Sequence, residues 1–215
     1  MSLLDDIAAC RVCEAHLPLG PRPVLRAADP AARVLIIGQA PGTKVHASGI
    51  PWDDASGQRL RDWMQVTPEA FYDQSRFAIL PMGLCYPGRG KSGDNPPRPE
   101  CAPLWHARVR QTLPNIELTL LIGAYAQGYY LADRLSLTER VRQADQYGAF
   151  FPLVHPSPRN RLWLSRHPWF EAEIVPQLRA RLRGLGLYSP LLPAALPWGG
   201  GAQRRRGMTL KPRPR

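Results

Sequence analysis

Three stretches of this 215-residue chain carry residue types at spacings that could do chemistry. The first is Gly38-Gln39-Ala40-Pro41-Gly42, which follows the apolar run Val34-Leu35-Ile36-Ile37. Small residues and Pro-Gly make it a tight turn whose backbone can approach a ligand closely. The second is Gly49-Ile50-Pro51-Trp52-Asp53-Asp54, where an aromatic ring stands beside two carboxylates. The third is Phe151-Pro152-Leu153-Val154-His155-Pro156-Ser157-Pro158-Arg159-Asn160, a second apolar run that delivers His155 at its end. In open α/β sheets ligands bind beyond the carboxyl ends of the strands. His155 and the Asp53/Asp54 pair are therefore expected to share one reaction centre on either side of Trp52.

The cysteines form a second constellation: Cys10-x-x-Cys13, then Cys85, then Cys101. Where thiols are kept reduced, such a set is better suited to metal or cluster ligation than to disulfides. Four thiolates with no neighbouring histidine suit either tetrahedral zinc or an iron–sulfur cluster, and spacing leaves the two open.

The elements that must position these residues follow from periodicity. Residues 3–15 read as a short helix bearing Cys10 and Cys13, and residues 18–30 as a Pro-rich connector. Val34–Ile37 reads as a strand buried on both faces. A helix is expected over residues 56–66 with Ser56 as its cap, and another begins at Thr67-Pro68. Residues 77–80 form the next strand, residues 86–100 a Gly/Pro/Arg-rich loop, and Cys101 opens a helix through Leu113. Residues 118–122 make a third strand, before helices near 124–133 and 137–144. The strand before His155 and an amphipathic helix at 168–184 complete the body. Strands alternating with helices predict an α/β, doubly wound fold with a short parallel sheet, covering residues 1–186. From Leu187 on, Pro, Gly and Arg dominate, which predicts a disordered tail over 187–215.

The formal charge is +11, and six cations with no acid lie after residue 186: Arg204, Arg205, Arg206, Lys211, Arg213 and Arg215. A basic body with a basic tail fits a polyanionic partner. No stretch is apolar for the length of a membrane span, and the first ten residues carry acids rather than a basic leader. A cytoplasmic, nucleoid-associated monomer with no membrane partner is expected.

Together, GQAPG and HPSPRN, in this order and over a hundred residues apart, resemble the two active-site motifs of the uracil-DNA glycosylase superfamily. The resemblance implies a three-layer α/β/α sandwich around a short parallel sheet. It also implies a monofunctional DNA glycosylase that hydrolyses the N-glycosidic bond of uracil, or another deaminated base, flipped out of DNA. Cys10, Cys13, Cys85 and Cys101 match in order the four cysteines of the family 4 enzymes, which implies a structural 4Fe–4S cluster. Roles follow residue by residue. Trp52 takes the place of the stacking aromatic, and Gly38, Gln39, Ala40, Pro41, Gly42 and Asn160 contact the base. His155 stabilises the departing base anion, while Asp53 or Asp54 serves the sugar cation or the water. Arg159, Arg89 and Lys91 contact DNA, Arg159 standing where a leucine wedge is usual.

Two departures stand out. Gln39-Ala40 replaces the acids of the first motif, so a water-activating group must come from elsewhere. Pro81 stands where a base-reading Asn is usual. The alternatives are a non-catalytic damaged-base or nucleic-acid binding protein of the same fold, and a hydrolase of free nucleosides.

Overall fold

A computed structural model describes residues 2–91 and 93–188. In chain order its elements are α1 (Leu3–Ala8), β1 (Val34–Ile37), α2 (Thr43–Ser48), α3 (Ala55–Met64), α4 (Pro68–Tyr72), β2 (Phe77–Ile79), β3 (Arg89–Gly90) and β4 (Gly93–Asp94). Then follow α5 (Cys101–Gln111), β5 (Leu118–Ile122), α6 (Ala124–Tyr130), α7 (Leu137–Arg142), β6 (Phe150–Leu153), α8 (Arg161–Arg166) and α9 (Val175–Gly184). The main sheet has the order β2-β1-β5-β6, and all three pairings are parallel. This is the expected α/β class.

The strands are apolar throughout because both faces are covered. Along β1, Val34 and Ile36 enter one core cluster with Leu60, Phe71 and Phe170, while Leu35 and Ile37 enter the other with Trp105 and Val109. The period of two thus divides one strand between two helical layers. Pro152, which has no N–H to give a ladder, lies in β6 at the sheet's edge. The opposite edge, β2, is partly covered by the Pro-rich connector, where Arg26 and Ile79 form an isolated antiparallel bridge.

Several boundaries differ from expectation, each for a local reason. The first helix stops at Ala8, so Cys10 and Cys13 lie beyond it, in the turn before a short 3-10 segment, Glu14–His16. Only Ile7 of α1 is buried and Val12 is 65% exposed, so nothing past Ile7 anchors a helical face. Asp54, not Ser56, caps α3, accepting from the Gly57 N–H at 2.8 Å, and Ser56 is buried inside the first turn. Thr67 and Pro68 open α4 as expected. The loop 86–100 contains the small antiparallel hairpin β3–β4. The last helix is not continuous: Phe170–Ile174 is a π-helical turn, and α9 begins at Val175. Pro176 lacks an N–H and crowds the carbonyl four residues back, which favours a wider register before it. Arg179 does not serve its own helix end; it donates to the Trp63 and Asp62 carbonyls at the C-terminal end of α3 (3.0 and 2.9 Å). Leu187 belongs to the core rather than to a tail, being 6% exposed. The rest of the expected tail, from residue 189, lies outside the described residues. Among the described residues no helix is long and apolar enough to cross a membrane.

Candidate active site

A cavity of about 530 Å³ opens beyond the carboxyl ends of the central strands. Its floor is the whole turn Gly38-Gln39-Ala40-Pro41-Gly42, and Trp52, Asp54, His155, Arg159 and Asn160 also line it. The two motifs meet as the strand-end argument requires. Asp53 does not join them: it is exposed, does not line the cavity, and its charge acts on Tyr72 instead. Consecutive residues leaving an extended Asp54 point to different sides, so one acid of the pair enters the site.

Trp52 is fixed from several directions. Its backbone is left-handed, with φ +61°, a conformation costing a non-glycine residue on the order of 1–3 kcal/mol. Arg61 donates to its carbonyl at 3.3 Å, and the Tyr72 hydroxyl donates to the preceding Pro51 carbonyl at 3.1 Å. Two glycines make room for it. A Cβ on Gly38 would lie 2.7 Å from the indole, and one on Gly57 would overlap the Trp52 carbonyl. The ring therefore lies against the end of β1, with its centroid 5.5 Å from that of His155 and the planes tilted by 32°.

His155 has a defined protonation pattern. The Ser157 backbone N–H donates to Nδ1 at 3.2 Å, so Nδ1 is the acceptor and a neutral ring carries its proton on Nε2. One side of His155 opens to the cavity, but protein encloses the rest of the ring. That desolvation lowers its pKa from 6.5 to about 4, against the smaller opposing effect of the Asp54 charge. At neutral pH the residue is an uncharged N–H donor. Its loop is held by the Asn160 side-chain amide, which donates to the His155 carbonyl at 2.7 Å. Asn160 thus lines the cavity while its amide is committed to the backbone. Arg59, buried in α3, donates to the Pro156 and Ser157 carbonyls at 3.4 and 3.5 Å.

Below the floor, buried His106 donates from Nε2 to the Pro81 carbonyl at 3.1 Å, since a carbonyl only accepts. Its Nδ1 then accepts from the Tyr130 hydroxyl at 2.6 Å. Burial lowers the His106 pKa to about 4. Pro81 itself lines the cavity. Neither Pro81 nor this relay offers a base the amide donor and acceptor of an Asn.

Of the expected DNA contacts Arg159 lines the cavity, while Arg89 and Lys91 lie on the hairpin whose Gly93 and Asp94 line it. Arg89 is exposed on β3 and Lys91 in the tight turn that follows it. Arg159 is exposed yet packs its guanidinium over Gly93, joining the HPSPRN loop to the hairpin instead of projecting as a wedge. The exposed apolar side chain of that segment is Leu162, at 60% exposure.

Cys10, Cys13, Cys85 and Cys101 converge on a separate small cavity walled by Ile7, Leu84 and Trp105. None is in a disulfide. The Leu84 N–H donates to the Cys101 sulfur at 3.3 Å. Burial pushes the Cys85 thiol up to about 11 and that of Cys101 up to about 12. Among the described residues no three His, Cys, Asp or Glu side chains form a group that could hold a single metal ion.

Sequence reasoning missed Asp94, Arg59 and His106. Arg59 left a signal, a charge on the buried stripe of α3 that also holds Leu60, Trp63 and Met64. Asp94 left none, because it lies in a loop without periodicity and reaches the cavity only through tertiary contact. A model of the Uracil DNA glycosylase superfamily matches residues 26–179, which is more than two thirds of the chain. The matched span contains both cavity motifs, Cys85 and Cys101, and begins after Cys10 and Cys13. With the parallel sheet, the strand-end cavity and the paired motifs in one frame, the chain belongs to the uracil-DNA glycosylase superfamily.

Proposed function

We propose that the protein is a monofunctional DNA glycosylase that removes uracil, or another deaminated base, flipped out of DNA. The observation that carries this reading is His155: a neutral imidazole with Nε2–H as its donor, beside the fixed indole of Trp52, at the end of β6. A flipped base needs a flat platform and polar groups at its edge. Trp52 supplies the platform, and Gln39 with the turn backbone supplies the polar groups. As the C1′–N1 bond breaks, its electron pair passes to the base, and Nε2–H donates to the oxygen where that charge collects. One such donor contributes about 2.7–4 kcal/mol in comparable oxyanion sites. A neutral donor suits a departing anion because it needs no proton transfer and no buried cation.

The test is excision from duplexes containing uracil, hypoxanthine or a mismatched thymine, read as strand breakage after alkali. Breakage at the modified position is expected with uracil or hypoxanthine. Tight binding without breakage on any duplex would favour a damaged-base binding protein instead. The feature favouring that second reading is Pro81, which offers no base-reading amide and whose carbonyl is taken by His106.

We infer that the four cysteines hold a 4Fe–4S cluster, with structural zinc as the alternative. Support comes from four thiols that line one small cavity and match in order the four cysteines of the family 4 enzymes. Cys10, Cys13, Cys85 and Cys101 would ligate it, and its contribution would be structural, tying the N-terminal segment to the loop 86–100.

A further inference from the structure

Glycoside hydrolysis needs a carboxylate for the water as well as a donor for the leaving group, on opposite faces of the sugar when water attacks directly. The first motif supplies none, having Gln39 and Ala40. Two carboxylates line the cavity, Asp54 and Asp94. Asp54 is committed: its Oδ1 accepts the capping N–H of Gly57, and its charge acts on His155, the leaving-group side. Asp94 enters from the hairpin. Among the described residues its carboxylate has no hydrogen bond and no ion pair. It lies close over the turn, since a Cβ on Gly42 would sit 3.3 Å from its Oδ2. Its neighbour Gly93 carries the Arg159 guanidinium, so the hairpin is braced against the loop that holds His155.

We propose that Asp94 is the catalytic base that activates the attacking water, a role that rests on the glycosylase reading above. As the C1′–N1 bond breaks toward the base held by His155, the water oxygen bonds to C1′ and gives its proton to the Asp94 carboxylate. The products are the free base and the abasic sugar. Asp94 then returns the proton to solvent or to the departed base. The hairpin is thereby part of the reaction centre as well as a DNA contact.

The experiment uses the full-length protein and a uracil duplex under single-turnover conditions. Asp94→Asn should slow excision by about 10²–10⁴-fold, the usual contribution of a positioned acid or base. Its affinity for a duplex with a hydrolysis-resistant 2′-fluorinated deoxyuridine should stay at the wild-type value. Its melting temperature should also be unchanged, because the Asp94 carboxylate makes no hydrogen bond or ion pair among the described residues. Asp94→Ala should regain part of its rate in sodium formate but not in sodium chloride of equal ionic strength. Excision by Asp94→Asn within about threefold of wild type would overturn the assignment and leave the glycosylase reading standing. So would a loss of rate matched by an equal loss of affinity and not restored by formate, which would mark a DNA contact. Wild-type protein that excises nothing would overturn both.

Discussion

His155 shows how much of a reaction one backbone N–H can decide. Because Ser157 N–H occupies Nδ1, the only ring proton available at neutral pH is on Nε2. A ring free to choose its tautomer would spend part of its time presenting a lone pair to an anion. His155→Ala should therefore cut excision by about 10²–10³, the loss seen for one charge-stabilising donor. DNA affinity should change little, since the proposed phosphate contacts, Arg89 and Lys91, lie on the hairpin. Equal excision by wild type and variant on a uracil duplex would remove His155 from the chemistry. Asp53→Asn should be mild and Asp54→Asn damaging, because only Asp54 both lines the cavity and caps α3. Losing a cap costs about 0.5–2 kcal/mol, so Asp54→Asn, which keeps a capping oxygen, separates charge from cap better than Asp54→Ala. A damaging Asp53→Asn with an innocent Asp54→Asn would reverse the assignment.

At the scale of elements, what the sequence made legible is what local physics decides. Val34–Ile37 and Leu118–Ile122 are unbroken apolar runs, so their burial on both faces followed from composition. Thr67-Pro68 announced α4 through its own cap. The paired motifs located the cavity because strand ends converge. Illegible were features settled by contacts distant in the chain. The hairpin β3–β4 lies in a stretch without periodicity, and Asp94 meets Gly42 across the fold. The hairpin carries a prediction of its own. Arg89 and Lys91 are exposed cations on the hairpin whose Gly93 and Asp94 line the cavity, so replacing both with Ala should weaken DNA binding uniformly across sequences. It should also lower the salt slope of log K by about one for each phosphate that is no longer neutralised. Unchanged slopes would place the DNA on another face. The cysteines come from places distant in sequence, the segments after α1 and after β2 and the start of α5, and line one cavity. Purified protein should be brown and carry iron, and Cys85→Ala should bleach and destabilise it. A colourless protein with one zinc per chain would exclude the cluster but retain the four-ligand site.

For the molecule as a whole, the two depressed histidines couple stability to acid. His106 is 1% exposed, with Nε2–H given to Pro81 and Nδ1 receiving the Tyr130 hydroxyl, so no lone pair is left for a second proton. Its pKa is about 4 in the fold against 6.5 for a free histidine. Between those values the unfolded chain binds the proton and the folded chain does not, so stability rises with pH across the window. The contribution is fully present above pH 6.5 and is lost as pH falls toward 4, about 3 kcal/mol for a shift of this size. His155 acts in the same direction, its pKa likewise lowered to about 4 by desolvation. Carboxylates held by arginines, such as Asp133 beside Arg140, have lowered pKa values and lose their contribution only at more acid pH, below the histidine window. His106→Gln keeps a donor for Pro81 and an acceptor for Tyr130 but cannot titrate. Denaturant unfolding at pH 7.5, 6 and 4.5 should show wild type losing more stability than the variant across the series. Parallel stability curves would show that His106 does not titrate between the two states. The chemistry should behave differently from the fold. His155 remains a neutral donor down to about its own pKa, so excision per folded molecule, as far as His155 governs it, should be nearly level from pH 7.5 to 5.5 while the fold loses stability. If excision per folded molecule instead falls in step with stability, the loss would have to come from the site itself, and His155 would not be the insulated donor that its burial implies.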